Sequence, residues 1–283
     1  MKVAVIGSSG GMGGFFAEYF LRQGHEVTGF DIKGARASDA EFRTVSSCRD
    51  AVDGADVVLV ATPIDSTVDT VREVAPNLRR GAYVLEIASV KGRILRQLKP
   101  ILAKSGATLL SLHPLFGPSL PSSAKMKICV IGTGGRSMGV ATRLFPDANL
   151  IPIAEKEHDK AMGVILSLTH LLNIAYAATV AAHIDPKRFR RLESPTSALQ
   201  LSLAEGVLSQ APSLYSYIQL ENEFSVRLAS ELIELLTQLK SIIAKKDSSA
   251  FESLFSRLSE IYAEDSKTAL EGVYEAYELK RGR

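Results

Sequence analysis

The sequence predicts an α/β protein in two parts: an N-terminal parallel sheet with helices on both faces, then an all-helical region. Three observations carry this. Short β-branched runs recur at intervals that leave room for a helix between them, at Val3–Ile6, Glu26–Phe30, Asp56–Ala61, Ala82–Ile87, Ala107–Leu112 and Met126–Ile131. Glycine is concentrated in front, with 17 of 21 residues before position 151, so turn-rich structure belongs there. From Thr196 onward apolar residues recur at a spacing of three to four, through Leu214, Ile218, Phe224, Leu228, Leu232, Leu235 and Leu239, which is the period of a helix.

Between the first two strands, Met12–Gln23 places Phe15, Phe16, Tyr19 and Phe20 on one helical face and ends at Gly24. Further helices are expected at Ser66–Val74, Gly92–Leu98 and Ser137–Leu144. Ala161–Ala182 carries no formal charge and is long enough for a bilayer of about 30 Å. It also carries Ser167, Thr169, His170, Asn173 and Thr179, so it reads as a helix buried on nearly all sides rather than a membrane span. A helix so enclosed in a small domain calls for a partner subunit, and a homodimer through the C-terminal helices is expected. Asp247 or Ser248 caps a final arm, Phe251–Leu279. The domains are then 1–153 and 154–283.

Composition excludes several classes. The 33 basic and 31 acidic residues nearly cancel, and no recognition motif accompanies the densest basic cluster, Lys187-Arg-Phe-Arg-Arg191, so no nucleic-acid partner is expected. That cluster reads as a solvated loop, or else as a clamp for a dicarboxylate. No His, Cys, Asp and Glu set has metal-ligand spacing, so no metal is expected. Cys48 and Cys129 make no disulfide pattern, and the N-terminal apolar run is too short for a signal peptide, so a reduced, cytoplasmic setting is expected.

The first strand runs into Gly7-Ser-Ser-Gly-Gly-Met-Gly-Gly14, which opens the first helix. Gly7 allows the tight turn, Gly10 lets backbone approach a pyrophosphate, and Gly13 lets helix and strand pack closely. Ser8, Ser9, Gly11 and Met12 complete the turn, where free N–H groups meet phosphates. Asp31 ends the second strand 18 residues after Gly13, placed to accept hydrogen bonds from a ribose diol. This marks a Rossmann-type dinucleotide domain for NAD, with NADP possible because Lys33 and Arg36 lie close. Ala61-Thr62-Pro63 ends a strand at the carboxyl edge where open α/β sheets bind ligands.

Two more strand ends carry chemistry. His113, in Leu112-His-Pro-Leu-Phe-Gly-Pro118, presents an imidazole on a Pro/Gly-stiffened loop, able to take a proton as hydride leaves the same substrate. Ser89, in Ser89-Val-Lys91, offers a hydroxyl to orient that imidazole or the substrate. His158 at a helix start reads as a cap or interface residue, and His170 and Asn173 as core or pocket residues.

Together these segments resemble the prephenate dehydrogenase family. His113-Pro-Leu-Phe-Gly-Pro118 is similar to its H-P-x-x-G-P loop and Ser89-Val-Lys91 to its S-x-K segment; Glu86 stands where an Asp is commoner, and Ser119 where many members carry an acid. Glu157-His-Asp159, Thr169-His170, Ser194-Pro195 and Gln210-Ala-Pro-Ser-Leu-Tyr215 follow in family order. The resemblance implies oxidative decarboxylation of a cyclohexadienyl acid, prephenate to 4-hydroxyphenylpyruvate in tyrosine biosynthesis. It makes His113 catalytic, Ser89 its contact, and Ser89, His113, Gly117, His170 and Asn173 substrate residues. It also implies an arginine for a substrate carboxylate, whose aligned position falls at Glu205-Gly206, a change expected to cost roughly 10- to 150-fold in affinity. Arogenate or another related substrate, or a non-catalytic dinucleotide-binding dimer, are the alternatives.

Overall fold

A computed structural model describes residues 1–34, 42–121, 123–132 and 135–281; Arg36 lies outside them. The chain divides into two compact units, Met1–Met162 and Gly163–Arg283.

In the first unit, the elements in order are β1 (Lys2–Ile6), α1 (Gly11–Arg22), β2 (Glu26–Phe30), β3 (Arg43–Thr44), α2 (Cys48–Val52), β4 (Val57–Val60) and α3 (Ile64–Val74). There follow β5 (Tyr83–Glu86), α4 (Gly92–Ser105), β6 (Thr108–Pro114), β7 (Lys127–Ile131), α5 (Gly135–Leu144), β8 (Asn149–Ile153) and α6 (Glu155–Met162). The strands pair in the order β3-β2-β1-β4-β5-β6-β7-β8, and the first six are parallel. The chain winds outward from β1 in one direction, then returns to β4 and winds the other way. The reversal lies between β1 and β4, where such sheets open a ligand crevice at their carboxyl ends.

Strand alternation fills both faces. Ala4 and Ile6 join Val58, Val60, Leu95 and Leu98 on one side, while Val3 and Val5 join Leu59, Leu85, Phe16, Phe20 and Phe145 on the other. The sheet is not parallel throughout: β7 runs antiparallel to β6, and β8 lies parallel to β7. The described residues between β6 and β7 form no helix, and a crossover helix is what a parallel pairing would need.

The second unit is helical: a π-helical turn (Gly163–Leu168), α7 (Thr169–His183), α8 (Pro186–Leu192), α9 (Pro195–Leu208), α10 (Pro212–Glu221), α11 (Ser225–Lys245), α12 (Ser248–Ile261) and α13 (Ala263–Arg281). The π turn presses against α11, since a Cβ on Gly163 would sit 3.0 Å from Phe224 and Leu228. Lys187–Arg191, read as a loop, is helical, because the Asp185 carboxylate accepts from the N–H groups of Lys187 and Arg188 at 2.9 and 3.1 Å. Asp247 caps α12, accepting from Ala250 N–H at 3.0 Å, and the final arm breaks at Tyr262 into two helices.

The expectation of an enclosed helix at 161–182 fails within one chain. Only 11% of its most apolar stretch is buried, and Val164, Ile165, Leu172 and Ile174 are exposed. Apolar composition reports that a face needs cover, not that the same chain supplies it.

The tightest steric condition in the first unit is at the β1–α1 turn. A Cβ on Gly13 would lie 1.9 Å from the Gly7 carbonyl oxygen, whereas one on Gly14 would meet Ser8 O at an ordinary 3.4 Å. Gly13→Ala is therefore expected to lower stability by at least about 1–3 kcal/mol, and Gly14→Ala by much less. Thermal denaturation of the two variants checks this; equal melting temperatures would contradict it.

Candidate active site

The β1–α1 turn forms one end of the site. Gly7 takes φ +86°, and a Cβ there would come 2.7 Å from Ala61 O, so glycine alone lets the turn lie against the end of β4. Gly10 caps α1 without a side-chain hydrogen bond, and the first helical bond runs from Gly14 N–H to Gly10 O at 2.8 Å. The N–H groups of Gly11, Met12 and Gly13 precede that ladder and face outward as donors at a positive helix end. Asp31, just past β2, accepts from Ser9 N–H at 3.1 Å and Lys33 N–H at 2.9 Å, which fixes its carboxylate beside the turn. It borders a cleft of about 500 Å³ that also includes Ser8 and Gly29. Glycine cradle, open helix end and oriented acid fit a dinucleotide's pyrophosphate and ribose.

The loop after β6 reaches this turn. A Cβ on Gly11 would lie 2.9 Å from the Pro118 ring, and Phe116 packs on Phe15 with centroids 5.2 Å apart. The 113–118 loop is thereby held against the start of α1, with His113 at its base on β6.

His113 is buried, and its Nδ1 lies 2.9 Å from His158 Nε2; His158 Nδ1 lies 2.8 Å from Asp159 Oδ1. An ionised carboxylate only accepts, so His158 carries its proton on Nδ1 and presents Nε2 as acceptor. His113 must then donate from Nδ1, and its Nε2 holds a free lone pair. Among the described residues that nitrogen has no protein partner. The three groups make a base whose tautomer is dictated from behind.

A buried ion pair supports them. Lys91 is fully enclosed, its Nζ donating to Glu86 Oε1 at 2.8 Å and to Leu112 O at 2.6 Å, one residue before His113. Glu86 also accepts from Ser111 Oγ and, at 2.9 Å, from Ala88 N–H. Asp159 receives the N–H groups of Lys91 (2.9 Å) and Gly92 (2.8 Å) at the start of α4, so one carboxylate orients His158 and closes a helix end. Burial would raise Asp159's carboxyl, but hydrogen bonds from His158, Lys91 and Gly92 outweigh it and hold the group below the usual carboxylate range. Burial, then the Lys91 and His158 charges, push His113 well below the ordinary histidine range. Burial and Lys91 likewise lower His158, against the pull of Asp159. His113 is a neutral imidazole at neutral pH.

Several sequence readings change here. Ser89 follows β5, but its hydroxyl makes no hydrogen bond to His113; the partner on the His113 ring is His158, read from the sequence as a cap or interface residue and wholly buried within the first unit. The only signal for it was the Glu157-His-Asp159 string. Thr62 Oγ1 lies 3.4 Å from Thr67 Oγ1 near the Gly7 turn, with Ala61 and the α3 cap Pro63 on either side. Gly117 is exposed in the 113–118 loop. His170 and Asn173 belong to the second unit. There His170 stands edge-on to Tyr215 with centroids 4.6 Å apart and its Nδ1 unpaired, and Asn173 Oδ1 accepts from Gln200 at 3.1 Å. Glu205 accepts from Arg190 Nη2 at 2.7 Å, both side chains partly exposed. No group of three or more His, Cys, Asp and Glu is arranged to hold a metal among the described residues.

Two family models match the chain in succession: prephenate dehydrogenase, nucleotide-binding domain, over residues 16–128, and prephenate dehydrogenase, dimerization domain, over 154–258. The chain belongs to the prephenate dehydrogenase family. The nucleotide-binding match lies within the first unit, and the dimerization match begins at residue 154, in the last helix region of the first unit, and continues through the second. A probable arogenate/prephenate dehydrogenase of Methanocaldococcus jannaschii is 27% identical over 94% of this chain, which spans 62% of that protein's length. A 4-amino-4-deoxyprephenate dehydrogenase of Streptomyces pristinaespiralis is 26% identical over 93% of this chain and 92% of its own. The crystal structure of prephenate dehydrogenase from A. aeolicus with hydroxyphenyl propionate and NAD+ shares the fold, with TM-score 0.73, 20% identity, and 94% and 98% of the two chains covered.

Two outcomes are expected. Lys91→Met leaves Glu86 buried without its partner and should cost about 3–5 kcal/mol in denaturant unfolding; a loss under 1 kcal/mol would contradict the pairing. Because His113 and His158 titrate lower in the folded chain than unfolded, the unfolded state binds more protons below the ordinary histidine range. Their contribution to stability is complete above about pH 6.5 and declines as pH falls. His113→Asn should flatten the stability–pH slope between pH 7 and 5, and an unchanged slope would count against the shift.

Proposed function

We propose that this chain is an NAD(P)-dependent dehydrogenase that oxidatively decarboxylates a cyclohexadienyl acid, with prephenate giving 4-hydroxyphenylpyruvate on the way to tyrosine. The observation that carries the reading is the His113–His158–Asp159 relay based beside a dinucleotide-type turn. The Gly11, Met12 and Gly13 N–H groups hold the pyrophosphate and Asp31 the ribose. A bound nicotinamide supplies the hydride acceptor. His113 Nε2 takes the proton of the ring hydroxyl as the carbon bearing it gives up hydride and becomes a carbonyl carbon. The bond to the ring carboxylate breaks and carbon dioxide leaves, its electron pair makes the ring aromatic as the phenolate, and the His113 imidazolium returns the proton to give the phenol. His158, oriented by Asp159, accepts the Nδ1 hydrogen bond of the imidazolium that forms on His113 and stabilises it there, and Ser89, Gly117, His170 and Asn173 are proposed to contact substrate.

The exposed apolar face of the π turn and α7 supports a homodimer in which a second copy covers it. Two buried free thiols, Cys48 pushed up to about 11 by burial and the Glu73 charge, suit a reducing, cytoplasmic setting.

One observation favours a second substrate. The position for which the resemblance implies a carboxylate-binding arginine holds Glu205, joined to Arg190. A carboxylate beside a guanidinium matches the ammonium and carboxylate of an amino-acid side chain, as arogenate carries. Turnover of prephenate and arogenate with NAD+ and NADP+ decides between them. His113→Asn is expected to lower kcat by at least about 10²-fold with cofactor still binding. Retained turnover would sink the mechanism, and tight cofactor binding with no turnover of either acid would favour a non-catalytic dinucleotide-binding dimer.

A further inference from the structure

Ser167 is a polar residue in the apolar run 161–182, and the proposed chemistry makes no use of it. It lies buried in the π turn and is held by two helices at once. Its carbonyl accepts from Gln219 Nε2 of α10 at 2.8 Å, while its hydroxyl accepts from Ser225 Oγ of α11 at 2.9 Å and donates to Ile218 O at 3.4 Å. At the other end of the turn Gly163 lies against Phe224 and Leu228, so the start of α11 braces both ends. A π turn carries one residue more than an α turn and is rare, so it persists where groups outside the helix compensate for it. The extra residue sets the phase of everything that follows: taking one residue out would rotate α7 by about 100°. His170 and Asn173 come next in α7, and neighbouring helices meet both. His170 stands edge-on to Tyr215 of α10 with centroids 4.6 Å apart, and Asn173 Oδ1 accepts from Gln200 of α9 at 3.1 Å. Tyr215 and Gln219 lie four residues apart on α10 and share a face, so one face touches the turn with Gln219 and the ring with Tyr215. His170 Nδ1 is enclosed without a partner, which leaves Nε2 as the nitrogen able to meet a ligand and makes the direction of the ring decisive.

We infer that Gln219 is a positioning residue for substrate binding: it holds the π turn, and the turn aims His170 and Asn173. The Gln219 amide occupies a carbonyl that a continuous α-helix would pair with the N–H four residues on, so it favours the π turn over its α alternative. Without that donor the buried Ser167 carbonyl is best satisfied inside the helix, and the α register that satisfies it turns His170 away from Tyr215 and Asn173 away from Gln200. Gln219 acts through the helix phase and needs no contact with a ligand. This rests on the reading that His170 and Asn173 contact substrate.

Two readouts on the full chain separate positioning from plain stability. Gln219→Met keeps the length of the side chain and removes the donor, and Gln219→Lys restores a donor of similar reach. With histidine and tyrosine isotope-labelled, NMR cross-peaks between the His170 and Tyr215 rings should be present in the unmodified chain, lost in Gln219→Met and regained in Gln219→Lys. With prephenate or arogenate, whichever the unmodified chain turns over, Gln219→Met should raise KM about tenfold and leave kcat within about threefold, because the His113 relay is untouched. If Gln219→Met does not fold, as a thermal melt would reveal, Ser225→Ala, which removes only the donor to the Ser167 hydroxyl, should weaken the same cross-peaks and raise KM in the same direction. Ring cross-peaks that survive in the folded variant, or a KM indifferent to it, overturn the assignment of Gln219. Absence of turnover of either acid by the unmodified chain would instead remove the substrate reading beneath it, with the cross-peaks still deciding whether Gln219 holds the turn.

Discussion

Glu86 and Lys91 are wholly enclosed between β5, β6 and α4, and ions taken that far out of water survive only if each finds the other. The pair does more than balance itself. Lys91 Nζ also reaches Leu112 O, which fixes β6 immediately before His113, and the Lys91 N–H reaches Asp159, which fixes α6. Strand, helix start and second histidine are thus referenced to one buried lysine, the strand through its ammonium and the others through its backbone N–H. A buried charge that cannot be resolvated is a stiff reference point, because any displacement exposes it to an unpaired interior.

The same pair sets the electrostatics of the base. A positive charge behind two buried imidazoles discourages either from protonating, while Asp159 stops His158 from surrendering its Nδ1 proton. His113 is left neutral with one usable lone pair. The neutrality and tautomer of this imidazole are set by what surrounds the histidine rather than by the histidine itself. On the other side, packing of Pro118 on Gly11 and Phe116 on Phe15 makes the glycine turn and the 113–118 loop parts of one body.

Much of this was legible in order. The β-branched runs mark six of the eight strands, and Gly7 and Gly13 announce the nucleotide end together with Gly10 and Asp31, because the φ of +86° at Gly7 and the sub-3 Å approaches at Gly7 and Gly13 favour glycine over every other residue type. Strand β3 is two residues long and β8 carries Pro152 at an exposed sheet edge, so neither shows a strand pattern. The antiparallel turn into β7 needed the loop geometry. His158 escapes notice because His113 lies 45 positions earlier, and Asp159 looks like an ordinary helix-start acid until the residue 91 backbone, 68 positions earlier, is seen against it. The composition of the apolar helix at 161–182 shows that it needs cover, but sequence does not record whose surface provides it.

The neutral, Nδ1-protonated His113 is most directly tested by nitrogen-15 NMR of the histidine side chains across pH, with the His113→Asn variant assigning one of the five rings. A relay tied to Asp159 predicts a His113 ring that stays neutral at pH 6, with Nε2 at the shift of an unprotonated nitrogen. A ring that becomes imidazolium near pH 6.5, or one carrying its proton on Nε2, would contradict it.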